Sequence, residues 1–137
     1  YNTIPGQREV ANCLACPAGK YCDGTGNTQP DGDCTAGYYC VAGSDSATKT
    51  AADPGYYSIA GAAIQSKCSP GTYQDQSGQS SCVTCEAGNH CPGFGNSANT
   101  TCPQGYYCEL GSDDPTPCPA GTYGASDGLA AVGECTT

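Results

Sequence analysis

Cysteine carries most of the reactive chemistry in this 137-residue sequence, which holds 13 of them and one histidine. Cys13-x-x-Cys16 and Cys82-x-x-Cys85 have the spacing of a zinc knuckle or a redox dithiol. Zinc is disfavoured because other cysteines fall at Cys-x5-Cys spacing, wrong for a closed tetrahedral site, as in Cys16/Cys22 and Cys85/Cys91. A redox role is disfavoured because no strand–helix–strand pattern surrounds either pair. His90 stands directly before Cys91, in a slot that elsewhere holds tyrosine, so it reads as a structural substitute rather than a general base. Asp31-Gly-Asp33 and Asp113-Asp114 lack the run of oxygen ligands that calcium needs and read as solvated turns. Asn99-Thr-Thr101 is an N-glycosylation sequon, and Asn99 is its acceptor. No catalytic residue, cofactor or metal ligand is expected, and the chain is not read as an enzyme. What remains for the sulfur is disulfide.

Composition requires it. Three leucines, three isoleucines, four valines and one phenylalanine are too few for an ordinary core, and the chain would sort with disordered sequences. Each disulfide contributes about 2–4 kcal/mol, mainly by restricting the unfolded chain, so six bridges compensate for the missing apolar interior. Sulfur at this density belongs to an oxidising compartment, and the expected location is extracellular or at the cell surface. The net charge of −9 reflects a shortage of Lys and Arg, which makes nucleic acid and anionic membranes poor partners. No apolar run approaches the ~18 residues of a membrane span.

The cysteines sit on a repeat. A unit with glycine three residues on and an aromatic residue five on opens at Cys16, Cys34, Cys68, Cys85, Cys102 and Cys118. A seventh copy, Ala52-Asp-Pro-Gly55-Tyr-Tyr57, has lost its cysteine. In four copies another cysteine follows the aromatic directly, at Cys22, Cys40, Cys91 and Cys108. The glycines read as turn positions, and the tyrosines as flat faces with a polar tip. Val41–Lys67 is free of cysteine and places Ala52 and Ser66 where a loop's cysteines would fall. It reads as a degenerate unit that lost both partners of one bridge; the alternative is a functional insertion whose Ile59–Ile64 piece adds contact surface. Glycine or proline interrupts the chain too often for long helices. The expected fold is therefore small, disulfide-rich and mostly irregular. It is an elongated run of tandem repeats without a conventional core, with short strand pairs beside Tyr38-Tyr39, Tyr56-Tyr57 and Tyr106-Tyr107.

The pieces CPAGKYC, CTAGYYC, CSPGTYQDQSGQSSCVTC, CPQGYYC and CPAGTYGASDG resemble the ephrin-receptor-like cysteine-rich repeats. More broadly they resemble the tumour-necrosis-factor-receptor modules. Such repeats occur in receptors and in long surface proteins, including those of flagellar hairs (mastigoneme-type). The resemblance implies a hairpin bridge followed by two interlocked ones: Cys68–Cys82, Cys85–Cys102 and Cys91–Cys108. The flanking modules would then supply Cys16–Cys34, Cys22–Cys40 and Cys118–Cys135. Spacing alone does not choose among the 15 pairings of six cysteines. The domains read as 1–67, a module with a truncated first hairpin and the degenerate 41–67 unit; 68–117, a complete six-cysteine module; and 118–137, the start of another.

Tyr1, Gly6 and Cys13 copy the spacing of Tyr123, Gly128 and Cys135. The expected partner of Cys13 therefore lies upstream of Tyr1, and a cysteine is expected directly after Thr137. The functional expectation is a structural extracellular segment of a filament, surface or flagellar-hair protein, whose partners are neighbouring repeats, copies of itself, other extracellular proteins or glycans. Linear stacks of loops suit spacing and stiffness. The alternative is a ligand-binding or adhesion ectodomain. Arg8 is the sole arginine and the aromatics occupy repeat slots, which weighs against that alternative.

Overall fold

A computed structural model describes residues 15–137. Within them the fold is small, disulfide-rich and mostly irregular, with short antiparallel hairpins, no α-helix, and a single 3-10 turn at Val132–Glu134. Each hairpin joins two strands of two residues. They are β1 (Lys20–Tyr21) with β2 (Gly32–Asp33), β3 (Tyr38–Tyr39) with β4 (Thr50–Ala51), and β5 (Tyr56–Tyr57) with β6 (Ser66–Lys67). The series continues with β7 (Thr72–Tyr73) and β8 (Val83–Thr84), β9 (Asn89–His90) and β10 (Thr100–Thr101), and β11 (Tyr106–Tyr107) and β12 (Thr116–Pro117). The three tyrosine pairs are strands as expected; the same hairpin recurs at the repeats opening at Cys16, Cys68 and Cys85, while the Cys118 repeat pairs Tyr123 with Thr136 in a single antiparallel bridge.

A tight turn launches each hairpin. The glycine three residues into every repeat has φ between +82° and +91°, and at Gly71 the turn closes by Thr72 N–H donating to the Ser69 carbonyl at 3.1 Å. Positive φ at the third turn position, with Pro70 at the second, is the type II turn that the Pro-Gly sequence favours. The aromatic two residues later then enters a strand. Lys20 faces Asp33 across the first hairpin, with Nζ 2.5 Å from Oδ1, a cross-strand pair of opposite charge.

The described chain gathers into two compact units. One holds the described residues up to Asp53 together with Tyr57–Ser66 and Ser77–Ser81; the other holds Pro54–Tyr56, Lys67–Gln76 and Cys82–Thr137. In both, the buried interior is chiefly cysteine: Cys16, Cys34 and Cys40 in the first, and Cys68, Cys85, Cys91, Cys102 and Cys108 in the second. Ser44, Ala52 and Ser58 are also buried in the first unit, and Gln74 in the second.

Candidate functional site: the sulfur rungs

Each repeat turns back on itself at its glycine, so the residue six positions after the opening one stands beside it. In four repeats both are cysteines and they bond: Cys16–Cys22, Cys34–Cys40, Cys85–Cys91 and Cys102–Cys108, with Cα–Cα distances of 5.8 to 6.1 Å. That separation lies within the range a disulfide spans without moving the backbone. Where the sixth position is not cysteine, the opening cysteine takes the next one along the chain, giving Cys68–Cys82 and Cys118–Cys135.

The two hairpin bridges implied by the family resemblance are therefore present, and the four crossed ones are not. Cys16–Cys34, Cys22–Cys40, Cys85–Cys102 and Cys91–Cys108 are replaced by bridges between immediate neighbours in the chain. The physical reason is local. A turn that sets positions one and seven side by side closes a short loop at small entropic cost, whereas crossed pairs close longer ones. Turn geometry combined with Cys-x5-Cys spacing was the signal that could have found this pairing.

Backbone hydrogen bonds hold each rung in a fixed register. Cys34 N–H donates to the Gly19 carbonyl at 3.0 Å, Gly37 N–H to Ser58 at 2.7 Å, and Cys40 N–H to Ala62 at 3.0 Å; the Cys34 carbonyl accepts from Gly61 N–H at 2.8 Å. The cysteine-free repeat keeps the pattern. Ala52 N–H donates to Gly37 at 2.9 Å, Gly55 N–H to Gln74 at 2.7 Å, and Ser58 N–H to Gln79 at 3.1 Å, while the Ala52 carbonyl accepts from Gly78 N–H at 2.8 Å. Ala52 is 0% exposed and Ser58 is 1% exposed, so these two fill the cysteine slots. The slot assigned to Ser66 belongs to Ser58 instead, because Ser66 is an exposed residue of β6. The Ser58 hydroxyl is buried and makes no hydrogen bond.

Glycine is required where a second loop lies on the turn. A Cβ on Gly55 would stand 2.5 Å from the Gly95 carbonyl oxygen, and one on Gly19 would stand 2.5 Å from that of Gly61. Only a residue without a side chain admits that approach.

The other sequence candidates are dispersed. Cys82 and Cys85 bond outward, to Cys68 and Cys91, and not to each other. Cys13 lies outside the described residues. His90 occupies β9 opposite Thr100, with its Nδ1 buried and unpartnered. Asp31 accepts from Asp23 N–H and from Asn27 Nδ2, both at 2.6 Å, and so closes a turn. Asp113 accepts from the N–H of Asp114 at 2.9 Å. Among the described residues no group of three or more His, Cys, Asp or Glu is placed to hold a metal ion.

Asn99 precedes β10, and its Nδ2 donates to Glu86 Oε2 at 2.5 Å. Tyr73 donates its hydroxyl proton to the other oxygen, Oε1, at 2.8 Å. The Tyr73 bond, a backbone hydrogen bond and the Asn99 amide hold the Glu86 carboxyl below its usual range. The same bond to Glu86 pushes the Tyr73 phenol up.

Among the described residues no helix is long and apolar enough to cross a membrane. No family model matches the chain, and no curated protein matches it.

Proposed function

We propose that this chain is a structural segment of an extracellular filament, surface or flagellar-hair protein, of the ephrin-receptor-like or tumour-necrosis-factor-receptor-like repeat kind. The observation that carries the reading is the constancy of the backbone register, kept even in the repeat whose rung lacks sulfur. A chain whose conserved feature is repeat geometry, with sulfur for an interior, suits spacing rather than turnover. Six bridges call for an oxidising setting, in keeping with secretion. Asn99 would carry an N-linked glycan there, and the partners would be neighbouring repeats or copies of the same protein.

A second reading, an adhesion or receptor ectodomain, is favoured by exposed apolar tips: Ile64 is 72% exposed, Phe94 70% and Leu110 70%. The test is to replace these three by serine in the parent protein on its own cell. The scaffold reading expects normal surface assembly. Loss of a specific partner's binding with the fold intact would favour the receptor reading and overturn the first.

A further inference from the structure

We propose that the Ala52–Ser58 rung is a yielding point, opening ahead of the bridged rungs so that a chain under tension lengthens there first. Its use in taking up tension rests on the scaffold reading above; the opening itself does not.

The four backbone hydrogen bonds of this rung match those of the Cys34 rung in partner and register, so they do not distinguish the two. Two side chains do. In a bridged rung the released loop of six-residue separation stays closed by sulfur, which caps the entropy gained on opening. The Ala52–Ser58 loop carries no such cap, and loop-closure arithmetic puts the resulting excess of open states at about 50-fold. The second contribution is the Ser58 hydroxyl, which is 1% exposed and without a hydrogen-bond partner. Opening hydrates it, whereas closing strips its water and returns nothing. Extension follows the same division. A bridged rung cannot lengthen between its cysteines, while residues 52–58 can pay out at roughly 3.3–3.6 Å each.

The experiment is native-state amide exchange on the fully disulfide-bonded protein, using matched donors. Gly78 N–H is bonded to Ala52, and Gly111 and Gly128 N–H to the bridged Cys85 and Cys102. Corrected for intrinsic rates, Gly78 is expected to exchange about 50-fold faster than the other two. Rates within threefold of one another overturn the proposal. The doubly substituted Ala52→Cys/Ser58→Cys protein, folded in a glutathione redox buffer, is expected to form a seventh bridge and bring Gly78 down to the matched rates. A dithiol that stays open, or a bridged protein that still exchanges fast at Gly78, overturns it. Ser58→Ala alone is expected to leave most of the difference; if it abolishes it, the hydroxyl and not the missing bridge makes the rung yield, and the loop-closure account of the opening is overturned. A negative exchange result leaves the scaffold reading standing, and failure of the scaffold reading leaves an exchange difference in place.

Discussion

The repeats that open at Cys34 and at Ala52 make the same four backbone hydrogen bonds in the same register, yet only one is closed by sulfur. The difference separates two jobs usually assigned together to disulfides. Shape comes from the turn glycine, the hairpin and the neighbouring loop, since Ala52 and Ser58 reproduce the rung without a bond. Sulfur contributes stability, chiefly by narrowing the unfolded ensemble. A sulfur-free repeat can therefore persist only while its neighbours are bridged.

The harshest way to break this comparison is to remove sulfur everywhere. Reduction with alkylation is expected to collapse all the described repeats, the Ala52 repeat included, because the few apolar side chains cannot offset the ordering entropy. Circular dichroism and protease digestion in excess reductant measure it, and a surviving protected segment at 52–67 would show that this repeat holds itself.

Next comes shape without loss of sulfur. Gly55→Ala is expected to cost about 3 kcal/mol, combining the left-handed backbone penalty with a side chain driven into the Gly95 carbonyl. Gly93→Ala, also at positive φ but in open space, is expected to cost about 1 kcal/mol by chemical denaturation. Equal costs would mean that loop-on-turn contact does not set the register.

A finer probe converts one repeat into the other. Cys34→Ala with Cys40→Ser recreates the sulfur-free rung and is expected to cost about 2 kcal/mol, with the hairpin retained by NMR. Removing Cys118–Cys135, which closes a separation of 17 residues, is expected to cost about 3 kcal/mol. A lost hairpin in the first variant would show that sulfur shapes the rung after all.

The smallest effect is electrostatic. Glu86 is depressed in the fold, so its contribution is present above the ordinary carboxylate value and lost as pH falls through the lowered one. Tyr73 is raised, so its contribution holds below the ordinary phenol value and is lost as pH rises through the raised one. Tyr73→Phe is expected to move the Glu86 carboxyl titration back toward the ordinary value by NMR, with little change in the denaturation midpoint. An unmoved titration would remove the Tyr73 bond as the cause.

Much of this was legible in the residues. Cys-x-x-Gly-x-Tyr announces its turn and strand because glycine and tyrosine have distinct backbone preferences, and His90 took its place in β9 as a tyrosine substitute. Pairing was less legible. Spacing lists which sulfurs exist, but only the turn's path through Gly19 or Gly88 brings positions one and seven together, and a crossed pattern satisfies the same spacing. Ser58 was missed for the same reason: measured from the Cys68–Cys82 hairpin the empty slot falls near Ser66, while the turn places it at Ser58.

Because each bridge among the described residues joins a cysteine to its next neighbour, every described repeat contains both of its own sulfurs or neither. Parity follows. Duplicating or deleting a whole repeat adds or removes cysteines in pairs and strands no thiol, whereas crossed bridges would orphan two with each such event. The repeat number of such a chain can thus drift by unequal recombination without a redox penalty, and a repeat can do without both cysteines, as the one at Ala52 does, while its neighbours have theirs.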